Sequence, residues 1–323
     1  GQSLYAVDSG TNTGGIHKID ASTGALTRLY EETGSSNIIS EPAVISTSVR
    51  PLGAGTGDQV LFDGTDRSGF DGAILYVLDD GTPGAKTPQV AVSAAFITSF
   101  TGTEADVRSI ATDSAGNIYF WENKNDGLFK YDTHGRLSAL VNKIQLTAFN
   151  AEQDGSHRDS GGMLRLQVLE QGGQTTIMYR GDNSFVAGVD VNEAGDFNGD
   201  NQIDALNTQF FIQHFSGNTP PAPTSPDYLE YAKADLNSSG TVVGSSGGYD
   251  GTIVSDAVDN SDLRTLRQFI NLKAGDADWD FDVDISDFAT LKNNFNPVAT
   301  DATFFEGNFD YETDGDVDIA DFA

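Results

Sequence analysis

Between Gly275 and Phe288 the chain reads Gly-Asp-Ala-Asp-Trp-Asp-Phe-Asp-Val-Asp-Ile-Ser-Asp-Phe, with aspartates at 276, 278, 280, 282, 284 and 287. As a β-strand, this alternation would line one face with carboxylates that repel each other, and aspartate is a poor strand former. Either a cation sits among these side chains or the segment does not fold. Calcium is a hard cation that takes six or more oxygens. A twelve-residue loop supplies them from positions 1, 3, 5, 7, 9 and 12, with position 7 giving its backbone carbonyl. Asp276, Asp278, Asp280, Asp282, Asp284 and Asp287 fit that spacing in full. Val283 takes the inward-facing eighth position, and Phe288, Leu291 and Phe295 follow at helical spacing.

The same spacing returns three times. Asp310, Glu312, Asp314, Asp316, Asp318 and Asp321 form one copy, with Gly315 at the sixth position, where the loop turns sharply. Asp196, Asn198, Asp200, Gln202, Asp204 and Asn207 form another, in which a neutral amide replaces the usual last carboxylate and predicts a weaker site. Asn201 and Phe281 stand where the turn glycine would be in two of the loops; Asn tolerates that geometry better than Phe. The fourth copy is split. Asp235, Asn237, Ser239 and Thr241 begin it, and Asp259 and Asp262 end it ahead of Leu263, Leu266 and Ile270, across an insertion of about 16 residues that includes Gly244-Ser-Ser-Gly-Gly248.

Gly195-Asp-Phe-Asn-Gly-Asp200 and Gly275-Asp-Ala-Asp278, with the Val/Ile-Asp and Asp-Phe/Leu residues after each loop, resemble the dockerin type of calcium module. That resemblance implies an EF-hand-like loop with its exiting helix but no entering helix, and two such units packed together per module. It pairs the loop at 196 with that at 235, and the loop at 276 with that at 310. The last exiting helix would begin at Asp321-Phe-Ala323, where the given sequence stops; without that helix Phe288, Leu291 and Phe295 would leave an apolar face open, so either further residues belong here or another chain covers the face.

Charge supports a cation-binding C-terminal part. The chain of 323 residues has 48 Asp and Glu against 18 Lys and Arg, and residues 190–323 alone hold 26 acidic and 5 basic residues. Such a balance argues against nucleic acid and against charge-driven binding to an anionic membrane surface. A disordered acidic tail is the plain alternative, but it does not account for ligand spacing repeated beside phased apolar helices. With no cysteine, disulfides and thiolate metal sites are ruled out. No apolar run reaches membrane-span length, and neither a basic nor an apolar leader follows Gly1, so the chain is read as a mature form.

Residues 1–189 read differently, as short strands such as Leu4–Val7, Ile16–Ile19, Val60–Phe62, Ala73–Leu78, Leu164–Val168 and Thr176–Tyr179, punctuated by Gly, Asp, Asn and Ser turns. Val107–Trp121, Gly127–Tyr131 and Leu137–Val141, with a turn at Asp132-Thr-His-Gly135, make a four-strand meander the size of a propeller blade. It resembles the families whose repeat reads D-x-x-G-N-I-Y followed by K-Y-D-x-x-G. Residues 4–29, turning at Ile19-Asp-Ala-Ser-Thr-Gly24, resemble a second blade. The fold expected is thus a mainly β, propeller-like domain over 1–189, with a β-sandwich as alternative. Small α-helical calcium-loop modules follow: 190–273, which contains the stiff connector Thr219–Pro226, and 274–323.

Other motifs carry less. Arg158-Asp-Ser-Gly-Gly162 after His157 is similar to the nucleophile segment of trypsin-like proteases, but it lacks the flanking Gly and Pro and reads as an exposed loop. Asp80–Thr87 lacks the Gly-Lys pair of a phosphate loop and reads as a hairpin turn. His17, His134, His157 and His214 show no metal-ligand spacing. Trp121, Trp279 and ten tyrosines offer a weak case for carbohydrate binding, and Trp121 reads as strand packing.

With no legible catalytic or organic-cofactor constellation, the sequence points to a non-catalytic extracellular or cell-surface protein. Its calcium modules would attach it to other copies of itself or to an extracellular or cell-envelope protein, assembly into a polymer or filament included. The alternative is a secreted propeller-type polysaccharide hydrolase or lyase with an anchoring tail, since propeller sites draw on separate loops and need no contiguous motif. Asp276→Ala combined with Asp280→Ala is expected to loosen residues 274–323 and leave the β domain folded. Limited proteolysis with added calcium checks this, and simultaneous loss of both parts contradicts independent folding.

Overall fold

The computed structural model describes residues 3–8, 15–31, 47–51, 57–64, 72–82, 84, 86–122, 127–142, 145, 165–180, 186–200, 202–215, 232–238, 241–243, 252–254, 258, 260–270, 275–277, 282–299, 317–318 and 321. The chain divides into two compact units, Gly1–Val191 with Ser238–Ile253, and Asn192–Asn237 with Val254–Ala323. The Arg158–Gly162 segment, the connector at 219–226 and the insertion glycines at 244–248 lie outside the described residues.

The first unit is mainly β. Strands β1 (Ser3–Asp8), β2 (Gly15–Asp20) and β3 (Leu26–Glu31) form one antiparallel sheet; β4 (Thr47–Pro51), β5 (Asp58–Gly64), β6 (Ala73–Asp79) and β7 (Gln89–Val92) form a second. The meander expected from the sequence is the third, with β8 (Val107–Thr112), β9 (Ile118–Glu122), β10 (Gly127–Tyr131) and β11 (Leu137–Val141) in chain order. Strands β12 (Arg165–Gln171), β13 (Gln174–Arg180) and β14 (Val186–Asp190) make the fourth. Consecutive sheets adjoin, and their first strands β1, β4, β8 and β12 lie successively beside one another. Within the insertion, β15 (Thr241–Val243) pairs with β16 (Thr252–Val254).

Turn chemistry sets the register of these meanders. Asp20 Oδ1 accepts from the backbone N–H groups of Ser22 (2.8 Å) and Thr23 (2.9 Å). Asp113 accepts from Asn117 N–H (2.8 Å), and Asp132 from His134 N–H (2.8 Å) and Arg136 N–H (2.9 Å). Each turn then closes on a glycine with positive φ, Gly24, Gly116 or Gly135, a conformation that costs a residue without Cβ little. The Ser22 hydroxyl, followed by the N–H of Thr23 and that of Ser22, holds the Asp20 carboxyl down at about 2.

Apolar side chains of neighbouring sheets fuse into a core. Val60, Leu61 and Phe62 of β5 are fully buried, as a strand paired on both edges and covered on both faces requires. Helix α1 (Ala94–Thr101), between β7 and β8, adds Ala94 and Ile97 to this core and sets Phe100 edge-on to Phe129 of β10. Ser93 caps its start by accepting from Phe96 N–H, and Gly102 ends it with φ 73°. A second cluster joins Trp121, Leu128 and Tyr119 of the third sheet to Ile177 and Tyr179 of the fourth; Trp121 is buried there, as strand packing predicts.

The first and second sheets are tied by a buried polar contact. Lys18 Nζ and Tyr5 Oη donate to Asp79 Oδ2 at 2.6 and 2.7 Å, and Gly81 N–H donates to its Oδ1 at 3.2 Å. Burial pushes the Asp79 pKa up, but the Lys18, Tyr5 and Gly81 bonds outweigh it and hold the group below its ordinary value. A carboxylate held down in this way stabilises the fold above about pH 4 and loses that contribution as pH falls through the folded value. Asp79→Asn is therefore expected to cost about 1–3 kcal/mol near neutral pH. Denaturant melts should show the gap to the parent protein closing toward pH 3, and an equal gap at both pH values contradicts this account.

Candidate metal centre

The second unit is built from loops that each lead into a helix: α2 (Ala205–His214), α3 (Asn260–Leu266) and α4 (Ile285–Asn294). Phe211 of α2, Leu263 and Leu266 of α3 and Leu291 of α4 share one buried apolar cluster with Ala234 and Val317. Val317 pairs its backbone with Asn296 in both directions. Leu291 faces this cluster, whereas Phe288 and Phe295, seven residues apart and so on one line of the helix, are half-exposed. Val283, expected to face inward, is also half-exposed.

One hydrogen bond recurs in three loops. The backbone N–H of the second position donates to the side-chain oxygen of the twelfth: Phe197 to Asn207 at 2.7 Å, Ala277 to Asp287 at 2.6 Å, and Leu236 to Asp262 at 2.8 Å. The last pair is 26 residues apart in sequence, so the fold reunites the two halves of the split loop around its insertion. Asn237 strengthens the junction, its N–H reaching Asp262 and its amide donating to Ser261 Oγ at 2.6 Å. The fourth position repeats as well: Gly199 has φ 74°, and Ser238, at the same place in the split loop, has φ 54°, the one positive value on a non-glycine residue among those described. Gly195, just before the first loop, has φ 95°, which strains any residue with a Cβ, and a Cβ there would also meet Leu266 Cδ1 of α3 at 2.7 Å and displace that methyl group.

The ninth and twelfth positions do two jobs. Asp204 and Asp284 are helix N-caps, accepting from Leu206 and Ser286 N–H. Asp284 and Asp287 form a reciprocal capping box, with Asp284 N–H donating to Asp287 Oδ2 at 2.7 Å; Asp318 N–H donates to Asp321 in the same way at 2.8 Å. Asp-Ile-Ser-Asp ahead of an apolar-phased helix is thus a capping signature as well as part of the ligand spacing.

In the 276–287 loop, carboxylate oxygens of Asp282, Asp284 and Asp287 converge within 4.8 Å of one another, Asp287 buried and the other two exposed. Two oxygens on one calcium ion, each bonded at 2.3–2.6 Å, are at most about 5 Å apart, so the group can hold one metal ion. Asp276, at the first position, is fully buried. Asp196, Asp235, Asn237, Asn207, Asp262 and Asp321 are buried as well; Asn198, Asp200 and Gln202 are exposed. Thr241 lies on β15. Asp278, Asp280, Ser239, Asp259, Asp310, Glu312, Asp314 and Asp316 lie outside the described residues, as do Asn201, Phe281 and Gly315.

No protein-family model matches this chain, and no curated protein matches it. Among the described residues no helix is long and apolar enough to cross a membrane. Asp262→Ala strips the acceptor from two buried N–H groups, Leu236 and Asn237, and is expected to destabilise the second unit by about 2–5 kcal/mol. Hydrogen exchange at those two amides checks this; unchanged protection means that the split loop is not held by Asp262.

Proposed function

We propose that this chain is a non-catalytic extracellular or cell-surface protein whose dockerin-like loops bind calcium and mediate attachment or self-assembly. The observation that carries the reading is the convergence of Asp282, Asp284 and Asp287 at the seventh, ninth and twelfth places of a loop whose remaining ligand positions are also aspartate. Calcium is favoured over magnesium because a loop rich in protein oxygens suits a large, flexible coordination shell, whereas magnesium keeps most of its waters. Extracellular loops of this type bind at about 10⁻⁴–10⁻³ M, which suits millimolar calcium outside a cell.

Successive contact of the first strands β1, β4, β8 and β12 supports a propeller-like arrangement for the body, since the inner strands of propeller blades neighbour one another in that order. Attachment is supported by Ile285, Phe288, Phe295 and Val298, four apolar side chains on and just beyond α4 that are at least 49% exposed beside the acidic loop. Calcium then acts first as a staple for a small module and second as the condition for presenting that apolar line. A second copy of the chain or a protein of the cell envelope is the partner this reading names.

Light scattering of the full chain in millimolar calcium and in chelator tests the assembly. Calcium-dependent growth in mass is the expected result, and a monomer under both conditions overturns self-assembly. Terbium luminescence sensitised by Trp279, at the fourth place of the 276–287 loop, should rise on titration and be displaced by calcium. A protein with Asp284→Asn and Asp287→Asn that gives the same signal overturns the metal assignment.

A further inference from the structure

We infer that the loop from Asp196 to Asn207 is closed by the side-chain amide of Asn207 in place of a cation, and therefore keeps its fold when divalent ions are removed. The inference deepens the calcium reading above, on which the contrast with the 276–287 loop rests.

The orientation of this amide follows from its partners. Phe197 N–H can only donate and lies 2.7 Å from Oδ1; the Gln202 backbone carbonyl can only accept and lies 2.8 Å from Nδ2. The same Nδ2 is 3.4 Å from Asp204 Oδ1. Gln202 and Asp204 occupy the seventh and ninth places, so these are the backbone and side-chain oxygens that a cation-binding loop would turn toward its ion. In this loop they face the two protons of one amide nitrogen, on a side chain that is 1% exposed.

The equivalent residue of the other loop, Asp287, has no proton to offer when ionised. Its Oδ2 instead accepts from Asp284 N–H, and the carboxylates of Asp282 and Asp284 converge on it. Asp196, Asp200 and Asp204 form no such group of converging oxygens. A neutral amide that both accepts and donates closes its loop by hydrogen bonds alone. A carboxylate in the same place supplies the acceptor half and leaves the other half to a cation. The two loops share the bond from the second to the twelfth residue and the N-cap at the ninth, and differ in whether an ion completes the closure.

Hydrogen exchange on the full chain, in chelator and in millimolar calcium, separates the possibilities. The Phe197 amide is expected to be equally protected in both, while Ala277 becomes at least about tenfold less protected in chelator. Calcium-dependent protection of Phe197, or no protection in either condition, overturns the inference. If Phe197 stays protected and Ala277 does not respond to calcium, the ion assignment for 276–287 fails and the amide closure stands. Asn207→Asp retains the acceptor and removes the donor. It is expected to make Phe197 protection fall about tenfold in chelator and recover with calcium, and to add one terbium ion per chain on titration. If Asn207→Asp leaves Phe197 as protected in chelator as the parent does, the amide donor does not close the loop and the inference falls. The comparison of Phe197 with Ala277 in the parent chain decides the matter even if that variant does not fold.

Discussion

The second unit depends on the hydrogen bond from the second residue of the loop to the side chain of the twelfth, made in three loops among the described residues. A buried backbone N–H must find an acceptor, and here it finds one at the start of the exiting helix. That single contact fixes where the helix begins relative to where the loop began. It thereby turns Phe211, Leu263 and Leu266 toward a common apolar cluster. The split loop shows how strong the constraint is, because Leu236 and Asp262 keep the contact across an insertion that carries its own two-stranded sheet. Position twelve must offer an oxygen; what else it offers is free to vary.

That freedom is where loops of one shape diverge chemically. An aspartate at the twelfth place brings a second acceptor, used by the N–H of the ninth residue in the capping box of Asp284 with Asp287 and in the bond from Asp318 N–H to Asp321. An asparagine brings a donor, which Asn207 directs at Gln202 and Asp204. One atom, oxygen or nitrogen, thus decides whether the neighbouring oxygens meet a proton or another lone pair. The difference sits inside a sequence pattern that looks nearly uniform.

Much of this was legible in the sequence, and the remainder was hidden for identifiable reasons. Spacing and the phased Leu263, Leu266 and Ile270 grouped the distant Asp262 with Asp235, and Asp262 accepts from the N–H groups of Leu236 and Asn237, the two residues after Asp235. The meander at 107–141 was readable because Asp-x-x-Gly turns and short β-rich runs alternate there. Helix α1 was not anticipated, although Ser93 and Gly102 are an N-cap and a left-handed C-terminus around an apolar run; its eight residues are too few for periodicity to separate helix from buried strand. Spacing also placed Val283 inward and grouped Phe288 with Leu291, because a helical repeat identifies a face without saying how wide a strip of it is covered. Asn207 was read as a poor ligand, since a ligand template counts oxygens and ignores donors.

Aspartate serves both units, and what faces it distinguishes its roles. In the β unit each turn carboxylate is met by backbone N–H groups: those of Ser22 and Thr23 for Asp20, of Asn117 for Asp113, of His134 and Arg136 for Asp132. Where Asp58 and Asp79 stand opposite each other on β5 and β6, Tyr5 reaches both and Lys18 neutralises the second. Such carboxylates are consumed by the architecture. Asp284 and Asp287 are also used by it, through the N-cap and capping box, yet their oxygens still gather with those of Asp282, in a stretch with 26 acidic residues and only five basic ones. Carboxylate density alone therefore does not mark a metal site. What sets Asp282, Asp284 and Asp287 apart is that their oxygens lie close enough together for one metal ion to reach all three.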